Sequence, residues 1–196
     1  MPAVILEGPD GSGKTELAYA LLGCVTPGRG LYIKSPAGKS TEWKQNYNYW
    51  VQAMRGRYPD KLIVFDRVPE ISEAVYGSVI RYNCRLHSPM DSLNTLRDHG
   101  NTVIMCIGTH SLEGEHEDPM GNDIQEYHRE VLAGYTLVTE LLKSLGTGIM
   151  IWDRITQPFF KRLVHHLNVR HTFYFPTLPE NFWESNTIGK EQYEPQ

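Results

Sequence analysis

The sequence predicts an α/β fold, a parallel sheet of five strands with helices on both faces in three layers. Three observations carry this. Short apolar runs alternate along the chain with longer segments whose apolar residues recur at helical spacing. The runs are apolar throughout instead of on every second residue, as strands are when both sides of a sheet are covered. The length, 196 residues with 40% hydrophobic content, suits a single core without splitting.

Val4-Ile5-Leu6 reads as the first strand, feeding a turn at Gly8. Lys14 to Leu22 places Leu17, Ala18 and Leu21 on one helical face and stops before Thr26-Pro27-Gly28. Leu31-Tyr32-Ile33 is a second strand. Trp43, Tyr47, Trp50, Val51 and Met54 form one stripe of an amphipathic helix. Leu62-Ile63-Val64-Phe65 is the strongest buried-strand signal, and Asp66 follows it at once. Ile71, Ala74, Val75 and Val79 again repeat at helical spacing. Pro89 opens a helix that runs through Leu93 and Leu96 to Gly100. Thr102 to Ile107 is a strand, and the polar, aperiodic residues 109–123 a loop. Tyr127, Val131, Tyr135, Val138 and Leu142 mark a long helix ended by Gly146 and Gly148. Ile149 to Trp152 is the fifth strand, with Asp153 at its end. Residues 1–169 are read as one domain. The tail 170–196, with Phe173, Tyr174, Phe175, Phe182 and Trp183 among prolines, must pack on the body or on a partner chain.

Composition narrows the function. The formal net charge is −4, and Lys and Arg are thinly spread, which argues against a nucleic-acid partner held through a basic stripe. A small anion needs only a local nest of donors. No apolar run is long enough to cross a bilayer, and the N-terminus lacks a secretory pattern. Cys24, Cys84 and Cys106 make neither a disulfide framework nor a zinc pattern, so a reducing cytoplasm is expected. The histidines, including His165-His166, show no metal-ligand spacing.

Gly8-Pro9-Asp10-Gly11-Ser12-Gly13-Lys14-Thr15 fits G-x-x-x-x-G-K-[ST] at every fixed position, with a strand before it and a helix after. Gly8, Gly11 and Gly13 permit backbone angles and close approach that a side chain would block. Successive N–H groups, that of Ser12 among them, then line a nest for phosphate oxygens at the positive end of a helix. Lys14 reaches the β- and γ-phosphates and Thr15 offers its hydroxyl to Mg²⁺. The pattern is that of a P-loop NTPase, and it implies ATP and Mg²⁺ as ligands. Asp66, ending a neighbouring strand, is placed to face the metal; an acid there is otherwise a helix cap.

Taken with Phe65-Asp66-Arg67 and Ser72-Glu73-Ala74-Val75-Tyr76-Gly77-Ser78-Val79-Ile80-Arg81, the stretch Ile5 to Thr15 resembles the thymidylate kinases, and in particular the compact phage-type nucleotide kinases. Gln125 to Leu142 looks like the helix that follows the lid of such enzymes. The resemblance spans about residues 3–153. It implies a five-stranded parallel sheet, a mobile lid at 109–123, Mg²⁺-ATP as donor, a nucleoside monophosphate such as dTMP as acceptor, and a homodimer. It further implies that Asp10 meets the acceptor's sugar hydroxyl, Arg67 holds the acceptor phosphate, and Asp66 sits near the metal. Tyr76, with Tyr47 and Trp50, becomes a candidate contact for the acceptor base, although an aromatic such as Trp50 at helical spacing is also ordinary core.

Three departures matter. Ser72 stands one residue farther from Asp66-Arg67 than the family spacing. Neither the P-loop nor residues 109–123 supply the catalytic arginine that the family uses. The aromatic tail has no counterpart. Arg129, in the first turn of the post-lid helix, is a candidate replacement or a plain solvated charge. Arg81, sharing a helix face with Arg85, is a second candidate for the acceptor phosphate. Arg154 falls where adenine is held in such kinases. A nucleoside kinase wants a carboxylate base where the second strand ends. Lys34 stands there instead, which favours an anionic acceptor. Two other readings stay open: a kinase acting on a deoxynucleoside or on hydroxymethylated phage DNA, and an ATP-gated binding module.

Overall fold

The computed structural model describes residues 3–23, 25, 27–34, 56–59, 61–77, 89–98, 101–107 and 124–152. Its elements in chain order are β1 (Val4–Glu7), α1 (Lys14–Leu22), β2 (Gly30–Lys34), β3 (Leu62–Asp66), α2 (Pro69–Ser72) followed by a π-helical turn (Glu73–Gly77), α3 (Pro89–Asp98), β4 (Thr102–Cys106), α4 (Ile124–Ser144) and β5 (Gly148–Trp152). The five strands form one sheet in the order β2-β3-β1-β4-β5, and every pairing is parallel. Every residue of the three central strands is buried, whereas most of β2 and β5 at the edges is half-buried. That gradient is why Leu62–Phe65 is the clearest apolar run in the sequence.

Side chains alternate across the sheet, and the two faces collect different partners. Val4, Leu6, Leu62, Val64, Ile104 and Trp152 pack with Leu17, Ala18 and Leu21 of α1. Ile5, Ile63, Phe65, Val103 and Met105 pack on the other face with Ile71, Leu93, Leu96, Val131, Tyr135 and Leu142. This is the three-layer α/β sandwich that the alternation of elements predicts.

Three details differ from the sequence reading. Asp66 is the last residue of β3 instead of a residue beyond it, because its backbone is still in register with Leu6 and Lys34. Gly148 opens β5 instead of ending α4, whose chain turns at Gly146 with φ +78. Regular helical spacing through Ile71, Ala74 and Val75 gives way to one short helix and a π-helical turn, and apolar periodicity does not distinguish the two. The predicted helix bearing Tyr47 and Trp50, the loop 109–123, Arg81, Arg85, Arg154 and the tail 170–196 lie outside the described residues. Among the described residues no helix is long and apolar enough to cross a membrane.

Candidate functional site

The loop between β1 and α1 is held close against the sheet. A Cβ at Gly8 would lie 2.3 Å from the backbone oxygen of Cys106 on β4, and Gly8 has φ +151. At Gly13, with φ +75, a Cβ would lie 2.5 Å from the indole of Trp152 on β5. No L side chain is accommodated at either place, so the loop is seated against β4 and β5 as well as by its own turn.

Lys14 begins α1 and folds back into the loop. Its Nζ donates to Gly8 O at 3.0 Å, Pro9 O at 2.5 Å and Ser12 Oγ at 3.2 Å. Burial, with the Arg67 charge nearby, lowers its pKa. The ammonium is thus held in a ring of oxygens, desolvated and directed at the loop's interior, where an anion would replace those acceptors. Ser12 is itself buried.

Asp66 belongs to the α1 face because it shares parity with Leu62 and Val64. Thr15, one residue into α1, donates from Oγ1 to Asp66 Oδ2 at 3.3 Å. The two hard oxygen donors read from sequence as metal ligands are therefore adjacent, and their chemistry fits Mg²⁺. Sequence reasoning missed a third member: Tyr32 of β2 donates its hydroxyl to the same Oδ2 at 2.6 Å, and its ring stacks on Tyr19. Burial and the Asp66 carboxylate raise the Tyr32 pKa, so the phenol stays a donor.

The opposite face carries a second cluster. Arg67 has φ +71, a left-handed conformation that is uncommon for a residue with a side chain. Its N–H bonds to Leu6 O at 2.9 Å, continuing the β1–β3 pairing one step past Asp66. The guanidinium Nη2 reaches Asp10 at 2.6 Å, Tyr76 Oη at 3.2 Å and Gly8 O at 3.3 Å, and the group lies 5.2 Å from the Tyr76 ring centroid. Its Nε is buried with no acceptor among the described residues, so this cation has donor capacity to spare there. Tyr76 lies in the π-helical turn, whose wider winding sets where its ring points.

Behind this cluster is a residue that sequence reasoning passed over. Glu7 ends β1 with parity to Ile5, so it faces away from α1 and is fully buried. It accepts bonds from Val68 N–H at 2.6 Å, Ser72 Oγ at 3.2 and 3.3 Å, and Tyr135 Oη at 3.1 Å. Burial pushes its carboxyl up to about 7 against the pull of those donors and of the Arg67 and Lys14 charges. Glu70 is buried too, neither of its oxygens has a hydrogen-bond partner among the described residues, and burial with the nearby Glu7 charge raises it to about 7. The one available signal was an acid closing an otherwise apolar strand.

The remaining sequence candidates are less involved. Lys34 is exposed at the end of β2. Arg129 is exposed on α4, and because that helix begins at Ile124 it sits in the second turn, not the first. Cys106, under the loop, is buried and its thiol pushed up by that burial, so it is a packing residue. Among the described residues no group of three His, Cys, Asp or Glu side chains could hold a metal; Thr15 and Asp66 alone form the hard-donor pair.

Fold and loop together define the class: a three-layer α/β protein of the P-loop type, with its phosphate-loop motif at the carboxyl end of β1. No family model and no curated protein matches the chain by sequence. Among solved structures it is similar to the YorR protein of Bacillus subtilis, crystallised in complex with phosphorylated GDP, with a TM-score of 0.60 and 18% identity over 88% of this chain and 99% of that one. At that identity the likeness is one of fold.

Proposed function

We propose that this protein transfers the γ-phosphate of ATP to a nucleoside monophosphate, with a deoxynucleotide such as dTMP as the favoured acceptor. The observation that carries the reading is a division of labour around one loop. Lys14, Thr15 and Asp66 gather on the α1 face, and Arg67, Asp10 and Tyr76 gather on the other, so two phosphate-binding groups flank Gly8 from opposite sides. The fold likeness to a protein crystallised with phosphorylated GDP supports a nucleotide ligand.

In this reading the loop N–H groups and Lys14 hold the β- and γ-phosphates, with Gly11, Ser12 and Gly13 shaping the nest. Thr15 and Asp66 would hold Mg²⁺, which supplies charge neutralisation at the phosphate oxygens. Arg67 holds the acceptor phosphate, and Asp10, released from its ion pair, meets the acceptor's sugar hydroxyl. Tyr76 and Trp50 line the base, Arg81 assists at the acceptor phosphate, Lys34 adds positive potential, and Arg154 borders adenine. The acceptor is already an anion, so no general base is required and positioning with charge stabilisation supplies the catalysis. Arg129 is the proposed substitute for the lid arginine. Residues 1–169 are assigned as the kinase domain with a lid at 109–123, and 170–196 as a tail that packs on the body or on a homodimer partner.

The test is label transfer from γ-labelled ATP to a panel of ribo- and deoxynucleoside monophosphates, deoxynucleosides and hydroxymethylated DNA. Label on monophosphates is the expected result. Label confined to DNA or to nucleosides, or ATP turnover indifferent to every acceptor, removes the proposal.

A further inference from the structure

Glu7 is an acid at the end of β1, yet it is closed off from solvent. Its three donors come from three places. Val68 N–H follows the left-handed Arg67, the Ser72 hydroxyl ends α2, and the Tyr135 hydroxyl comes from α4, 128 residues away in sequence. Tyr135 also meets Tyr76 edge-on, with ring centroids 6.0 Å apart at 84°. Tyr76 in turn supports the Arg67 guanidinium on its ring and at its oxygen. One buried carboxylate and one buried phenol therefore reach Arg67 through its neighbours, the backbone through Val68 N–H and the head group through Tyr76.

A residue at φ +71 persists only where its surroundings over-determine it. Two bonds flank this one: the Arg67 N–H to Leu6 O, and the Val68 N–H to Glu7. The second is the shorter, 2.6 against 2.9 Å, and ends on a carboxylate. Relaxing Arg67 toward ordinary backbone would displace the Val68 N–H and leave the buried Glu7 short of a donor.

We infer that Glu7 and Tyr135 are positioning residues for Arg67, a relay by which α4 sets the aim of the acceptor-binding guanidinium without touching either substrate. This rests on the proposed acceptor role of Arg67. It names two residues outside that role, and ties the helix following residues 109–123 to the Arg67 cluster through the Tyr135 bond to Glu7 and its ring contact with Tyr76.

The test is a double-mutant cycle of Tyr135→Phe with Arg67→Ala, read by acceptor KM, ATP KM and kcat, and by the NMR resonance of the Arg67 side-chain N–H. Tyr135→Phe keeps the ring packing and removes one oxygen. We expect acceptor KM to rise about five- to tenfold, the worth of one ordinary hydrogen bond. ATP KM should stay within about twofold, and the variant should add nothing in the Arg67→Ala background. Ser72→Ala, which deletes a weaker bond to the same carboxylate, should move KM in the same direction by less. The Arg67 resonance should shift in both variants. Effects of Tyr135→Phe and Arg67→Ala that simply multiply, an equal change in ATP KM, or an Arg67 resonance that stays where it is in folded Tyr135→Phe protein would each overturn the inference. The resonance decides it even where no monophosphate is turned over; loss of turnover with a shifted resonance counts against the proposed reaction and for the relay.

Discussion

On the α1 face of the sheet, the loop lysine, Thr15 and Asp66 meet through short rules. Lys14 and Thr15 are neighbours in sequence, and Asp66 joins them because it closes a strand one place from β1 with α1-facing parity. On the opposite face Arg67 is set by a left-handed backbone, a π-helical turn, and a carboxylate bonded to a tyrosine more than a hundred residues away. The first cluster is built by motif, the second by tertiary packing. Motif-built sites recur wherever the motif does, whereas the second cluster depends on what this particular chain packs around it.

If the faces divide the work, they should be separable by mutation. Lys14→Ala should be the most damaging change, lowering kcat by about a thousandfold or more through loss of charge at the transferred group, as a steady-state assay would show. Arg67→Ala should raise acceptor KM by about thirty- to a hundredfold, a loss of about 2–3 kcal/mol. ATP affinity by calorimetry should hardly move. An Arg67→Ala enzyme with undiminished acceptor use would erase the division.

Glu70 offers a contrast within the second face, since it is buried with no hydrogen-bond partner for its carboxyl among the described residues and has no place in the relay. Its folded pKa, about 7, is above the ordinary carboxylate value, so the folded state binds the proton more tightly than the unfolded chain. Its favourable contribution is complete below the unfolded pKa and is lost as pH rises through about 7. Glu70→Met should therefore raise Tm more at pH 8 than at pH 6, with about 1–3 kcal/mol of stabilisation at the higher pH. An equal Tm change at both pH values in thermal melts would show that Glu70 does not titrate. Smallest of all, Tyr32→Phe should weaken magnesium dependence by only about threefold, because Asp66 keeps its bond from Thr15; a larger loss in a magnesium titration would make Tyr32 a principal organiser of that carboxylate.

The strands and the loop were readable because each is signalled by contiguous residues. Leu62–Phe65 reads as buried since both of its faces are apolar, and Gly8–Thr15 reads as a phosphate nest since fixed spacing fixes its turn. Less was readable beyond Arg67. Apolar spacing through Ile71, Ala74 and Val75 is shared by α and π windings, so it predicts regular helix where the structure has the turn that presents Tyr76. Glu7 carries no distinguishing signal in the sequence, because an acid after an apolar run is ordinary at a strand end. Only its parity, together with Tyr135 arriving from α4, makes it buried and bonded.

By itself the sequence determined where the strand, the glycine loop and the helix after it lie, because spacing along a chain dictates local backbone geometry. Tertiary structure alone decided that a carboxyl at the end of β1 is dry, held near neutrality and joined to the Arg67 segment. Desolvation and bonding depend on what packs against a group, and those neighbours come from strands and helices far away in the chain.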